Sequence, residues 1–503
     1  MNAQIAADLG RIIGPDNILA DERACALATA DLFPNAEQAP ALLCLLPEST
    51  QAVAEAMAYL HSRKIPVTPR GAGLSYTGGV SPDKPAVVID TARLEDIEIH
   101  ADDLYARVGA GVSWEKLHEA LRPYRLKCAQ PNPISGAVTT VGGAAAQNVP
   151  GGMDGFLGVV VVLADGSIVR TGAAASGHEN GFWRHNGPDL TGLFLGDCGA
   201  FGVKTELILR LMRVRPAAFA SFAFDHVQQL LDAMAPVLRD GLVTRAVAMD
   251  PLKTRQATKV DAGEAAKIVG AVVSQSGSLT QSIKNIAQLA RSTVAANPDG
   301  WVLHLTCEAA TQTGADAQLA LAKNICARNG REIDNVIPKT LHARPYSIRG
   351  FVGPQGERWA PIHGILSLSR AQACMNDLLA FVDRRKGDMD SLGISVNWIA
   401  SSIGPYVTIE AMFYWTDALD ALHFRHLSAR NAERFKHADK NEPARAAIAE
   451  WRCNMREIYD AHGAVHAQIG RFYHLPDAAA PLARKLKKAL DADGMMNPGV
   501  LGL

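Results

Sequence analysis

Histidine, arginine and tyrosine gather in two stretches of this sequence, LHARPYSIRGFVGPQGERWAPIHG (341–364) and HGAVHAQIGRFYHL (462–475). An imidazole can take or give a proton near neutral pH, a guanidinium can fork onto a carboxylate or phenolate, and a phenol can donate to either. The second stretch sets His466, Arg471 and Tyr473 close together in the chain, and the first offers His363 with Arg344, Tyr346 and Arg349 upstream. Such residues can orient a small anion and receive a proton from it. Plainer readings stand beside this one: Arg344 and Arg349 paired on a loop, and His363 a satisfied packing histidine. The run MFYW (412–415) reads as sheet packing rather than a substrate box.

Three tracts are rich in glycine: TPRGAGLSYTGG (68–79), PISGAVTTVGGAAAQNVPGG (133–152) and GLFLGDCGAFGVKTELILRL (192–211). Bare backbone lets a chain approach a ligand closely, and successive N–H groups can form a nest for an anion such as a pyrophosphate. One such tract could be a surface turn; three within the first 211 residues make turns alone a poor account. GAGLSYTGG does not open a helix as a G-x-G-x-x-G loop should, and no G-x-x-x-x-G-K-[ST] pattern occurs. An NAD or ATP site of the common kinds is therefore disfavoured.

The elements that must position these residues are mixed. Residues 49–62 predict an amphipathic helix capped by Ser49 or Thr50, with Val53, Ala56, Met57 and Leu60 on one face. Strand-like runs follow at 86–90, 97–100 and 105–111, then a helix opened by Ser113. GVVVVLADGSIVR predicts a hairpin turning at Asp165-Gly166. Beyond about Arg215 glycine thins out and longer helices alternate with strands such as WVLHLTCEA and YVTIEAMFYW. The organisation read from this shift is a first domain over 1–215, a second over 216–460 and a C-terminal segment over 461–503.

A chain of 503 residues has the length of two ordinary domains. With 50 basic against 51 acidic side chains it lacks the basic excess of a nucleic-acid binder. Its eight scattered cysteines, with no C-x-x-C, imply neither a zinc site nor a disulfide framework and suit a reducing cytoplasm. The first residues do not read as a signal peptide, and no apolar run reaches the length of a membrane span. A soluble, cytoplasmic protein is expected, with docking on a membrane surface left open.

The order PRGAGLS, then PISGAVTTVGG followed by QN, then DLTGLFLGDCGAFGVKTELILRL, and DADGMMNPG near the C-terminus resembles the FAD-linked oxidase superfamily. That superfamily includes vanillyl-alcohol oxidase, 4-cresol dehydrogenase, and D-lactate, glycolate and D-2-hydroxyglutarate dehydrogenases. IIGPDNILADERACALATAD is similar to the start of its hydroxy-acid branch. The likeness is strong over 1–215 and 480–503 and weaker between. It implies an α+β fold: a two-subdomain FAD-binding domain of the vanillyl-alcohol oxidase type with an α/β cap domain on an antiparallel sheet.

The resemblance also implies FAD as cofactor. Pro69, Arg70, Gly71, Ala72, Gly73, Leu74 and Ser75 would cradle its pyrophosphate, while Pro133, Ser135, Thr139, Gly142, Gly143 and Asn148 would run along the flavin and phosphates. Gly199, Gly202, Val203 and Thr205 would meet the ribityl, ribose or adenine side, and Asn497 would return the C-terminal segment to this domain. Leu74 stands where some relatives carry a flavin-linking histidine, which argues against that linkage; attachment through a cap histidine or tyrosine stays open.

In the metal-dependent hydroxy-acid dehydrogenases the matching segment reads G-E-H-G-I-G, with H-x-G-D-x-N-x-H upstream. Here Ile469-Gly470 aligns, His466 and Ala467 occupy the Glu-His positions, and SVNWIASSIGPYVTIEAMFYW replaces the upstream motif. No metal site of that type is expected. The resemblance implies an FAD-dependent dehydrogenase or oxidase passing a hydride from a small hydroxylated anion to flavin N5. His466 or His363 would take the hydroxyl proton and Arg471 would hold the anion. A D-2-hydroxy acid is favoured as substrate. One alternative is a para-substituted phenol held by Tyr473 and Arg471, and another is a flavoprotein subunit of an electron-transfer complex. The acceptor would be oxygen, a quinone or a cytochrome, and a homodimer is compatible with the chain.

Overall fold

The computed structural model describes residues 2–503 apart from 34–38, 130–132, 150–152, 178–179, 259–299, 347–351, 354–355 and 468. Arg349 lies outside the described residues. Among the described residues three sheets follow one another along the chain. The first joins β1 (Ile18–Leu19), β2 (Ala41–Leu45), β3 (Val67–Arg70) and β4 (Ala86–Asp90) in the order β1-β2-β4-β3, with β2, β4 and β3 parallel. A parallel pair needs a crossover, and the helix Thr50–Ser62 supplies it between β2 and β3. Ser49 caps that helix by accepting from Ala52 N–H at 3.1 Å, and Val53, Ala56, Met57 and Leu60 are buried beneath it.

The second sheet is antiparallel: β5 (Ile97–His100), β6 (Tyr105–Gly109), β7 (Leu126–Cys128), β8 (Phe156–Val162), β9 (Ile168–Arg170) and β10 (Val203–Arg213). The long β10 pairs β6 and β8 on its two sides and β7 at its far end. Gly166 turns the β8–β9 hairpin with a φ of 87°. Both sheets share one core, in which Leu43, Val87 and Ile89 of the first meet Val108, Val159 and Leu207 of the second. Met495 and Met496, from the end of the chain, complete it.

After Arg213 the chain leaves this domain and begins an eight-stranded antiparallel sheet at Ala217. Its strands are β11 (Ala217–Phe224), β12 (Arg245–Met249), β13 (Trp301–Glu308), β14 (Arg331–Ile333), β15 (Arg358–Ser367), β16 (Ser395–Ser402), β17 (Tyr406–Trp415) and β18 (Val465–His466). They lie in the order β14-β11-β13-β12-β16-β17-β15-β18. The helices Val227–Arg239, Gln312–Cys326, Leu368–Arg384 and Glu442–Ala461 cover one face. Strand period decides what they cover: Val407, Ile409, Ala411, Phe413 and Trp415 of β17 enter that core, leaving Thr408, Glu410, Met412 and Tyr414 on the opposite face. The MFYW run is thus divided between two environments.

Pro361 sits inside β15 opposite Met412. It is tolerated because β18 pairs only with Gly364 and Ile365, so the first half of β15 has no outer neighbour among the described residues. No helix among those residues is long and apolar enough to cross a membrane. The architecture is the expected α+β one, a two-sheet domain under an antiparallel cap.

Candidate functional site: a backbone cleft and the cap face above it

The three glycine tracts converge on one cleft of about 860 Å³, counting space open to solvent, within the usual size of a cofactor site. Pro69 to Ser75, Pro133, Ser135, Thr139, Gly142, Gly143, Gly199, Gly202 and Val203 all line it. Arg70 explains the first tract. Its guanidinium turns inward, donating to the carbonyls of Ala28 (2.8 Å) and Ala30 (3.2 Å), and lies where a side chain on Gly73 would have to go. Gly73 also has a φ of 74°, so two independent constraints demand glycine there. With Arg70 folded away, the loop presents peptide groups to the cleft. Among the described residues no backbone carbonyl accepts from the N–H groups of Gly71 to Ser75.

Two polar atoms of lining residues, Thr139 Oγ1 and Gln147 Oε1, are buried with no hydrogen-bond partner among the described residues. Buried polar groups are normally satisfied, so the wall is built for a ligand that brings its own donors and acceptors. Bare N–H groups, a close approach at glycine and orphaned polar atoms together fit a dinucleotide with a pyrophosphate.

Three of the expected contacts stand behind the wall. Thr205 Oγ1 accepts from Thr50 Oγ1 (2.9 Å) and donates to Val160 O (3.3 Å). Asn497 Nδ2 donates to Gly79 O (2.9 Å) and Cys198 O (2.7 Å), fixing two lining residues from outside. Asn148 Nδ2 donates to His466 O at 3.0 Å, tying the cleft to the cap.

Where the first tract passes beyond Ser75 it delivers Tyr76 to the face of the cap sheet that carries His363 and Glu410. Tyr76 is buried; its hydroxyl stands 3.5 Å from His363 Nδ1 and its ring meets Trp359 edge-on at 5.4 Å. Arg452 donates to Tyr76 O at 2.8 Å, and its guanidinium lies over the rings of Phe33 (4.6 Å) and Phe472 (4.7 Å). Aromatic faces offset part of the cost of burying that charge. Burial, helped by the nearby His466 and Arg452, pushes His363 down to about 3, so it is a neutral imidazole at ordinary pH. Burial likewise raises the Tyr76 and Tyr473 phenols and keeps them protonated.

Glu410 is the cross-strand partner of His363 and shares its face. It is half-buried. Desolvation raises its carboxyl to about 7, with Lys253 pulling the other way. A carboxyl poised there can exchange a proton near neutrality.

Of the residues singled out in the sequence, the fold brings His363, His466 and Tyr473 to one edge of the cap sheet. His466 and Tyr473 stack at 4.1 Å and 19°, and His466 Nε2 meets Asp460 Oδ1 at 2.6 Å. Arg471 does different work from the anion clamp expected of it. Its Nε donates to Ser81 O (2.9 Å), its Nη2 to Pro498 O, and its Nη1 faces Asp83 at 3.5 Å, so the fork holds the C-terminal loop. Tyr346 packs into the core of the first domain and meets His118 edge-on, and Arg344 closes the helix Val336–Ala343. Tyr76, Glu410, Lys253, Asn397 and Arg452 escaped the sequence reading. A signal existed for Glu410, the one charge on an alternating strand, and for Arg452, which falls on the buried stripe of Ile448, Met455 and Tyr459. Among the described residues no three His, Cys, Asp or Glu side chains could hold a metal ion.

Comparison with known proteins matches residues 41–172 to the FAD binding domain family. The glycolate oxidase subunit GlcD of Escherichia coli (strain K12) is 31% identical over 227 residues, 43% of this chain and 44% of that protein. D-lactate dehydrogenase of Archaeoglobus fulgidus is 28% identical over 204 residues, 38% of this chain and 44% of that protein. The chain thus spans less than half the length of the curated relatives it matches. Over its whole length it is similar in structure to 4-ethylphenol oxidase from Gulosibacter chungangensis, at TM-score 0.71 and 17% identity, covering 99% of this chain and 97% of that one. The likeness to p-cresol methylhydroxylase is equal, at TM-score 0.71, 15% identity and coverage of 100% and 96%. At such identities the likeness is one of fold.

Proposed function

We propose that this chain, which carries an FAD binding domain, is an FAD-dependent oxidoreductase for a small hydroxylated anion, with a D-2-hydroxy acid ahead of other candidates. The observation that carries this reading is the junction at Tyr76. The loop lining the cofactor cleft runs directly into a buried tyrosine that faces His363, so a substrate on the cap face would border the cleft.

The cofactor would be held by Pro69 to Ser75, by Thr139, Gly142 and Gly143, and by Gly199 to Val203. Bound FAD supplies an acceptor for two electrons. The chain supplies the rest. Tyr76 Oη would donate to a substrate oxygen, and neutral His363 would accept from its hydroxyl without adding a charge. Above pH 7 the Glu410 carboxylate would take up the released proton. Arg452 positions Tyr76 by donating to its backbone carbonyl. His466, held by Asp460, would brace Tyr473 by stacking.

The similarity to glycolate oxidase and D-lactate dehydrogenase supports a hydroxy acid. A para-substituted phenol is the second reading, favoured by the two buried phenols Tyr76 and Tyr473 beside Arg452. The test is the visible spectrum of the FAD-loaded protein under anaerobic conditions, with D-lactate or D-2-hydroxyglutarate in one cell and vanillyl alcohol in another. Bleaching by an acid is expected. Bleaching by the phenol alone would transfer the protein to the second reading, and no bleaching by either would remove both.

A further inference from the structure

Past the His363 end of the cap face, the same surface carries donors that the reading above leaves unused. Lys253 stands in the helix Pro251–Thr258, and its Nζ reaches to 3.4 Å from Tyr414 Oη. Among the described residues that ammonium has no carboxylate within 4 Å. Tyr414 and Glu410 share one face of β17, and Trp359, the register partner of Tyr414, touches the Tyr76 ring. Asn397 lies on the same face, opposite Met412 on the neighbouring strand; it is 1% exposed, and its Nδ2 has no hydrogen-bond partner among the described residues.

An ammonium without a carboxylate and a buried amide without an acceptor, on one sheet face, describe a place for an anionic oxygen that the chain does not provide. Glu357 is near enough to raise the Tyr414 phenol, yet among the described residues it makes no ion pair with Lys253, and the other ionisable groups do not fill the place either. Asp250 is turned to its own helix start, accepting from Lys253 N–H at 2.7 Å, and His363 and the tyrosines are neutral. Glu410 feels the Lys253 charge without forming an ion pair with it.

We propose that Lys253 and Asn397 form a carboxylate anchor, which selects a hydroxy acid whose hydroxyl lies toward His363 and whose carboxylate lies toward Tyr414. A neutral phenol or alcohol has nothing to offer that end of the face. The inference rests on the oxidoreductase reading and narrows its substrate class.

The test is calorimetric titration of the FAD-loaded protein with oxalate, a small dicarboxylate with no hydrogen to give up. Lys253→Met and Lys253→Gln should each weaken binding about 30-fold or more, Asn397→Ala about tenfold, and Lys253→Arg only slightly, all with the flavin-to-protein ratio unchanged. Wild-type affinity in either neutral Lys253 variant overturns the anchor. So does a wild type that ignores oxalate but binds 4-methylphenol. Two results separate the anchor from the reading beneath it. Lys253-dependent oxalate binding without flavin bleaching by any hydroxy acid or phenol keeps the anchor and removes the oxidoreductase; bleaching by D-lactate with oxalate binding indifferent to Lys253 does the reverse.

Discussion

The cofactor cleft is made of backbone, and the cap face above it is made of side chains. In the cleft, Gly71 to Ser75 offer peptide groups, glycine keeps other atoms out, and Arg70 turns its guanidinium away. On the cap face, three strands supply His363, Glu410 and Asn397, a helix supplies Lys253, and two distant segments supply Tyr76 and Tyr473. The lesson is that the two regions should fail in opposite ways. Adding atoms should ruin the cleft, and removing functional groups should ruin the face.

The largest effect should come from the smallest addition. Gly73→Ala puts a methyl group where the Arg70 guanidinium lies, at a φ of 74°, and should cost roughly 3 kcal/mol or more along with the bound flavin. Absorbance of the purified protein reads this directly. Normal flavin content with a normal melting temperature would erase the distinction between the regions.

On the face, Glu410→Gln should lower the turnover rate about 100-fold or more while flavin content stays normal. The wild-type rate should climb as Glu410 loses its proton through about pH 7 and then level off, and the variant should lack that limb. Parallel loss of flavin and turnover would place Glu410 in the structure rather than in the chemistry. Tyr76→Phe should be milder, about tenfold in kcat/KM, because one hydroxyl is lost and the ring contact with Trp359 survives.

Arg471→Ala tests the border between the two regions. Losing its bonds to Ser81 and Pro498 should cost about 1–2 kcal/mol and leave KM within twofold. A large rise in KM with unchanged stability would return Arg471 to the substrate. The smallest effect concerns pH and stability. Burial raises Glu410 to about 7, and Asp31 and Asp250 to about 6, above the values of about 4 for unfolded carboxyls. The folded chain therefore holds these protons more tightly. Their contribution to stability is full below about pH 4 and is lost as pH rises through 6 to 7. Glu410→Gln should gain stability on the wild type as pH rises from 5 to 8, read as a diverging melting temperature.

The contrast between backbone and side chain also governs what the sequence discloses. Glycine tracts, the Ser49 cap and the Asp165-Gly166 turn are local statements, and the cleft, the crossover helix and the β8–β9 hairpin could be read from them. Asn148, Asn497 and Thr205 stand behind the lining because their partners, His466, Gly79 and Thr50, come from other segments. Glu410 was visible as the charge on an alternating strand, but only pairing with β15 sets it opposite His363. Arg471 misleads for the same reason. A fork next to a tyrosine looks like an anion clamp until the carbonyl of Ser81, far back in the chain, is found filling it.

The return of the C-terminal segment has a consequence for how the protein is made. Val67 N–H donates to Met495 O and Asn497 N–H to Val67 O, Lys487 reaches Ala200 O, and Asn497 clamps Gly79 and Cys198. These residues are synthesised after the whole cap. Residues 67–200, which line the cleft, precede the cap in the chain, whereas residues 487–497, which brace them, follow it, so the cleft is synthesised before the cap and can be locked only after it.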